Sequence, residues 1–372
     1  MSKDILSHGR LNANAEFVTV IMAGGSGTRF WPMSRANSPK QFLPLSPDGK
    51  SLIRATADRV SSLGTKGDLL VVTAENQVEL VRQHLPEAKI LAEPIPKNTS
   101  ACIGYAAAKV LEEVGDVPML CLAADHIISG IDELTRTFER AIEITKKHNY
   151  LVPIGIPPAY PETGYGYIRR GKVLPGSEHT YTVHSFVEKP TPEKAMEYIA
   201  SGDYFWNAGM FVWRSQVIWD SLQTHLPELS QQLEALRPLS SECFPKEKTL
   251  QIFSEMKSIS IDYGVMEKAQ NVVMLAGVGF HWSDVGSWSS WKDVLDEAHP
   301  SLKKNVSTGD ALHVECDDTL LIGKSKLVVG VGLKGIIVVE TEDAILVCQR
   351  DSAQDVKKVV DVLRERNRKE FL

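Results

Sequence analysis

Several things are scarce in this chain of 372 residues, and each absence excludes a class of protein. No apolar run approaches the roughly 18 residues of a membrane-spanning helix. The first 16 residues lack the apolar core of a signal peptide and read as a polar, partly mobile extension. Basic charge is not in excess. Lys and Arg number 41 against 47 Asp and Glu, a net charge of -6, so the broad basic footprint of a general nucleic-acid binder is missing. An anion can still bind, but only through a local cluster of donors. Cysteine is sparse and unpatterned. Cys102, Cys121, Cys243, Cys316 and Cys348 form no CxxC pair, which argues against a zinc site and for reduced thiols in the cytoplasm. No internal repeat or low-complexity segment stands out.

What is present is ordinary globular material, 43% apolar and 24% charged, enough for one large domain with an appendage or for two domains. Short apolar runs at Val18–Met22, Asp68–Thr73 and Val117–Ala124 fit strands buried on both faces of a sheet. Amphipathic stretches lie between them. Asn98 is a plausible N-cap, with Ile103, Ala107, Val110 and Val114 on one helical face, and Ile131 to His148 reads as another helix. Strand–helix alternation at this spacing predicts βαβ units in a doubly wound α/β fold. "GYGYIRRG" and "TYTVHSFVEKP" read as strands over the end of that sheet, and "TPEKAMEYIASG" as a short helix with a Thr-Pro start and a Gly stop. From about residue 310 the chain turns rich in Val, Ile and Gly without helical period, then closes on a charged amphipathic helix.

The glycine-rich "AGGSGTRF" follows the first apolar run, a common place to hold phosphate. A P-loop would end in Gly-Lys-Ser/Thr, because lysine reaches the outer phosphates and the hydroxyl holds magnesium; Thr28-Arg29-Phe30 does not. A dinucleotide fingerprint needs a third glycine where Phe30 stands, and an acidic end to the second strand, which here ends in threonine. Two readings remain. Either Gly24, Gly25 and Gly27 let backbone amides approach a nucleoside triphosphate while Arg29 and Lys40 supply charge, or this is a glycine turn with solvated basic residues.

Eight segments in order extend the pattern: "AGGSGTRFWPMSRANSPKQFLPL", "AEPIPKNTSA", "LAADHII", "PETGYGYI", "FVEKP", "WNAGMFVW", "SIDYGVMEK" and "WSDVGSW". Together, over roughly residues 17 to 350, they resemble the sugar-phosphate nucleotidylyltransferases, specifically the mannose-1-phosphate guanylyltransferases. "LAADH" and "WNAGMF" depart from the commoner "PADH" and "WNSGMF" without removing a charged group. The resemblance implies a Rossmann-like, mixed or mostly parallel sheet flanked by helices over residues 17–300, after the extension at 1–16. It implies a small left-handed β-helix-like unit with a terminal helix over 301–372, able to support a homodimer. Longer relatives carry a phosphomannose isomerase domain after the transferase, and that second activity is not expected here.

The implied reaction joins mannose 1-phosphate and GTP, giving GDP-mannose and pyrophosphate. Two polyanions must meet, and the attacking phosphate oxygen is already ionised, so positioning and neutralisation are needed rather than a general base. The resemblance makes Asp125 and Asp284 the Mg²⁺ ligands, although either could simply cap a turn. Arg29 and Lys40 fall to the triphosphate, together with Ala23, Gly24, Gly25, Gly27 and Thr28. Lys189 is expected at the sugar phosphate and Glu188 at the sugar hydroxyls, although a Glu-Lys pair at a strand end is more often a surface salt bridge. Gly164, Tyr165, Gly166, Asn207, Gly209 and Asp262 complete that wall, with Tyr165 and Trp206 equally readable as core. Guanine offers N1–H and N2–H₂ donors, which suit a carboxylate or carbonyl acceptor; Glu93 is the candidate, with Asn98 and Thr99 behind it. His126 is assigned a structural role because magnesium favours oxygen. The alternatives are the same chemistry on another hexose 1-phosphate or nucleoside triphosphate, and a non-catalytic regulatory subunit that binds nucleotide sugars.

Overall fold

The computed structural model describes residues 7–25, 27–237, 246–298 and 304–372. Cys243 and the expected boundary at 300–301 lie outside them. The strands are β1 (Ser7–His8), β2 (Phe17–Ala23), β3 (Gly67–Ala74), β4 (Lys89–Glu93), β5 (Pro118–Ala123), β6 (Ile127–Ser129), β7 (Val152–Ile156), β8 (Gly166–Val173), β9 (Thr180–Glu188), β10 (Tyr204–Arg214), β11 (Val273–Ala276), β12 (His281–Ser283), β13 (Val306–Val314), β14 (Leu320–Val331), β15 (Ile336–Glu340) and β16 (Ile345–Gln349). The helices that matter below are α1 (Leu52–Ser61), α2 (Val78–His84), α3 (Asn98–Glu113), α4 (Ile131–Lys147), α5 (Pro192–Ser201) and, at the C-terminal end, α6 (Trp288–Ala298) and α7 (Val356–Glu365). The chain divides into two compact units built from discontinuous segments. One comprises the chain up to Gly24, Ala57–Ala124 and Ile128–Trp282; the other comprises Gly25–Thr56, Asp125–Ile127 and Ser283–Leu372.

The larger unit is built on a ten-stranded sheet in the order β1-β4-β3-β2-β5-β10-β7-β11-β9-β8. It is mixed rather than mostly parallel. Parallel pairing joins β4, β3, β2 and β5, and separately β7 and β11, whereas β1–β4, β5–β10, β10–β7, β10–β8, β11–β9 and β8–β9 are antiparallel. The reason is partly loop length. Outside stacked β-coils a parallel crossover needs a dozen or more residues, and the short link between β8 and β9 returns as a hairpin. That hairpin extends the edge of the sheet itself instead of lying over its end. In the parallel half the carboxyl ends are level: Ala23 opposes Thr73, Ala74 opposes Glu93, and Met22 opposes Ala123. Such a row of strand ends is where open α/β sheets bind ligands.

Two helices follow their sequence signals. α5 starts at the Thr191 cap, whose side chain accepts from the Lys194 N–H, and stops at Gly202 with φ 69°. α4 has Asp132 and Glu133 in its first turn and Lys146 and Lys147 in its last, as its dipole favours. α3 differs from its prediction. It is buried continuously from Ser100 to Val110, not along one face, and it begins at Asn98 itself, with Lys97 in the cap position. Asn98 adopts a left-handed φ of 69°, and its Oδ1 accepts from the Thr99 N–H.

Of the polar extension expected to be partly mobile, residues 7–16 are docked, and residues 1–6 lie outside the described ones. β1 pairs with the edge strand β4, and Leu11 and Ala15 are buried. The Leu11 N–H donates to Glu113 Oε2 at 2.9 Å, and the Asn12 N–H donates to Asp68 Oδ2 at 2.7 Å. Backbone donors do this work, so a side-chain polarity pattern could not reveal it.

In the smaller unit, β13, β14 and β15 stack in parallel through short connections, the arrangement of β-helix coils, and β16 returns antiparallel. Glu340 braces one corner, its carboxylate accepting from the Lys324, Ser325 and Lys326 N–H groups. The core of this unit joins Phe30, Trp31, Leu43 and Leu45 to Trp288, Trp291, Leu320, Ile337 and Val356. Each such side chain contributes about 1.5–3 kcal/mol by burial. That packing, with Trp288 Nε1 donating to Trp31 O and Trp291 Nε1 to Leu45 O, holds the loop after β2 against α6.

Candidate active site

In the smaller unit, three predicted residues meet. Lys40 is buried, and its ammonium donates to Asp125 Oδ2 at 2.8 Å and to the Asp284 carbonyl oxygen at 2.7 Å. The Phe30 ring lies beneath that nitrogen, centroid at 5.6 Å. Gly27 makes the approach possible: a Cβ there would sit 2.2 Å from Lys40 Cβ, and its φ of 60° is a conformation glycine adopts without strain. Burial pushes the Asp125 carboxyl up, but the Lys40 charge and hydrogen bond, with His126 beside it, outweigh that and hold it below the usual range. Asp125 is thus an anion, and about a third of its side chain is open to solvent (36%). Arg29 is exposed and has no hydrogen-bond partner among the described residues, and Thr28 begins the short helical turn Thr28–Phe30 that carries it.

Val285, next to Asp284, was not anticipated. It is fully buried and has a φ of 46°. A β-branched residue rarely adopts this conformation, and it costs about 1–3 kcal/mol, so the surrounding core imposes the turn that aims the Asp284 carbonyl at Lys40. The sequence hint was its place between Asp284 and Gly286 in "SDVG".

In the larger unit, a second group assembles at the β8–β9–β10 end. Asn207 Nδ2 donates to Asp262 Oδ1 at 2.7 Å, and the Gly209 N–H donates to Asn207 Oδ1 at 3.3 Å, where a bulge interrupts the β10–β7 pairing. Gly166 faces Glu188: a Cβ there would lie 2.4 Å from its Oε2, so a side chain would displace the carboxylate. Burial, then the charge of Asp262, raises Glu188, against the opposing pull of Lys189. Asp262 is raised by burial in spite of its bond from Asn207. Lys189 is exposed, adopts a φ of 48°, and lies 3.4 Å from Glu188 Oε1. Tyr165 packs edge-on to both Trp206 and Trp282, which with Tyr160 form an aromatic cluster that sequence reasoning had not grouped. The Gly164 N–H turns back to Glu162 Oε1 at 2.7 Å.

The same unit holds Glu93 at the end of β4. It is buried, and its Oε1 has no hydrogen-bond partner among the described residues. With no compensating cation, burial pushes its carboxyl up to about 8. Gly24 faces it, 4.0 Å from its projected Cβ to Glu93 Oε2. Thr99 is occupied structurally: its Oγ1 accepts from the Ile261 N–H at 2.8 Å, tying the start of α3 to the segment that carries Asp262.

Known proteins resemble this chain along most of its length. A nucleotidyl transferase family model matches residues 18–300, and the MannoseP isomerase/GMP-like beta-helix domain matches residues 309–363. The chain is 38% identical over 366 residues to the mannose-1-phosphate guanylyltransferase of Klebsiella pneumoniae, covering 95% of this chain and 75% of that one. It is 38% identical over 361 residues to the alginate biosynthesis protein AlgA of Pseudomonas aeruginosa, covering 95% and 73%. The chain therefore spans about three quarters of the length of these relatives. Among solved structures, that of mannose-1-phosphate geranyltransferase from Thermus thermophilus superposes with a TM-score of 0.84 at 32% identity, covering 94% of this chain and 99% of that one. A mixed α/β catalytic body followed by stacked β-coils, with these matches along nearly its whole length, means that the chain belongs to the mannose-1-phosphate guanylyltransferase family of nucleotidyl transferases.

Proposed function

We infer that the protein transfers GMP from GTP to α-D-mannose 1-phosphate. A phosphate oxygen of the sugar attacks the α-phosphorus, the bond to the β-phosphate oxygen breaks, and GDP-mannose and pyrophosphate result. The observation that carries this reading is the buried Lys40, bonded at once to Asp125 and to the backbone of Asp284. An ammonium fixed in that way is a preorganised positive charge for a polyphosphate, and such groups need no reorganisation when charge shifts to a leaving group. Arg29, exposed and unpaired among the described residues, supplies a planar fork for the departing pyrophosphate.

Two carboxylates, one held ionised by its lysine, make a hard oxygen donor set that fits Mg²⁺, with substrate and water oxygens completing six ligands. Asp125 and Asp284 would hold that ion, which when bound neutralises charge between the two phosphate groups. Lys189 serves the sugar phosphate, Glu188 and the Asn207–Asp262 pair serve the hexose hydroxyls, and Glu93 serves the base. The raised carboxyls of Glu188 and Asp262 suit hydrogen bonding to neutral hydroxyls better than repelling an anion.

Pyrophosphate release across four nucleoside triphosphates and several hexose 1-phosphates tests this, with and without EDTA. GTP with mannose 1-phosphate is expected to lead, and EDTA to stop the reaction until Mg²⁺ is restored. A lead for UTP or dTTP with glucose 1-phosphate would overturn the substrates, and indifference to EDTA would overturn the metal role.

A further inference from the structure

Glu93 is a chemical puzzle. An acceptor for the N1–H and N2–H₂ of guanine would naturally be a carboxylate. Yet no positive charge among the groups around this one compensates an anion. From the glycine loop, Gly24 faces it. From β3, its register partner is Ala74. From α3, the titratable neighbours are Cys102 and Tyr105, both buried and both pushed further up by burial first and then by Glu93 itself, so they stay neutral and donate no positive charge. Burial alone sets its titration; no charged side chain contributes. An uncompensated buried carboxylate protonates instead. Oε1 is left with no partner among the described residues, a buried atom free to bond a ligand or a water.

We propose that Glu93 reads the base as a neutral carboxylic acid, its hydroxyl donating to O6 of the 6-oxopurine and its other oxygen accepting from N1–H. This rests on the reading of the chain as a GTP-using enzyme. The two arrangements differ in kind. A carboxylate pairs with N1–H and N2–H₂, needs the 2-amino group, and must shed a proton when the base arrives. A neutral acid pairs with O6 and N1–H, ignores the 2-amino group, and keeps its proton. The neutral acid can also turn over to serve N1 and the 6-amino group of adenine, so discrimination against ATP falls to groups other than Glu93. Glutamine carries the same donor and acceptor as the neutral acid, in the same shape.

Calorimetric titration of the intact protein with GTP and with inosine triphosphate, in buffers of different ionisation enthalpy, tests this. At about pH 7 the neutral acid predicts close to zero protons released through Glu93, whereas a carboxylate reader predicts about one, taking the Glu93→Gln variant as reference for the ionisation of the nucleotide itself. Between about pH 7 and about pH 9, wild-type affinity is expected to fall about tenfold relative to Glu93→Gln, because ionisation removes the binding form. Glu93→Ala is expected to lose GTP and inosine triphosphate affinity equally, by about tenfold or more, and Glu93→Gln to recover most of that loss. Release of a proton, affinity that rises with pH, or an Ala variant that loses GTP more than inosine triphosphate would each overturn the proposal. The wild-type proton count and pH trend need no folded variant. If wild-type protein binds another nucleoside triphosphate and not GTP, the functional reading fails; if GTP binds with a proton released, only this inference does.

Discussion

Asp125 and Glu93 are two acids near the carboxyl ends of parallel strands, in different units of the molecule, and they carry opposite charge states for a simple reason. Asp125 has Lys40 at 2.8 Å and stays ionised in spite of burial. Glu93 is more completely shut off from solvent and has no cation, and its carboxyl rises to about 8. Burial pushes both carboxyls up, and only the one with a lysine beside it is held down. In the proposed function the first would hold a hard cation and the second would hydrogen-bond a neutral base.

The comparison can be broken from the side of the ionised acid first. Asp284→Ala, which removes the companion carboxylate, is expected to lower turnover by about a thousandfold, near 4 kcal/mol of barrier, while the thermal midpoint shifts little. Steady-state rates beside calorimetric melts check this, and an equal loss of fold would mean that Asp284 only holds its turn. From the other side, Glu93→Gln is expected to stabilise the protein. The fold raises the pKa of this acid, so the stability it costs grows as pH rises from the ordinary glutamate range towards 8. The glutamine variant should gain up to about 4 kcal/mol near pH 8 and under about 1 kcal/mol near pH 5, measured by denaturant unfolding at both. The smallest effect sharpens the contrast itself. Lys40→Met removes the main charge that opposes burial at Asp125, so its carboxyl should rise, and the acid limb of the residual pH–rate profile should move to higher pH. A limb that stays in place would show that Lys40 does not set the ionisation of Asp125.

Much of this was legible in residues alone. β2, β3 and β5 announce themselves because a strand covered on both faces is an unbroken apolar run. α5 was legible from its caps. The smaller unit's cluster was reachable through motif order, since "SPKQF", "ADH" and "SDVG" each contribute one member. β4 was harder, because five residues ending in glutamate carry no period to distinguish strand from loop. The docking of residues 7–16 rests on backbone N–H groups meeting Glu113 and Asp68 side chains far along the chain, which no local pattern encodes. The strain at Val285 was only hinted at by its place in "SDVG", because it takes the packed core of its unit to hold an unfavourable φ.

The sequence by itself determined the chemical inventory: a glycine loop without the ending of a P-loop, two carboxylates and a lysine in recognisable motifs, and a β-rich C-terminal segment. These are properties of residue type and spacing, which the chain carries whether or not it is folded. Tertiary structure alone decided the charge states. A carboxyl group's proton affinity depends on what lies within a few ångströms and on how much water reaches it, and those neighbours come from distant segments. Lys40 came to Asp125 from 85 residues away, and α3 set Cys102 and Tyr105 near Glu93 with no charged side chain acting on it.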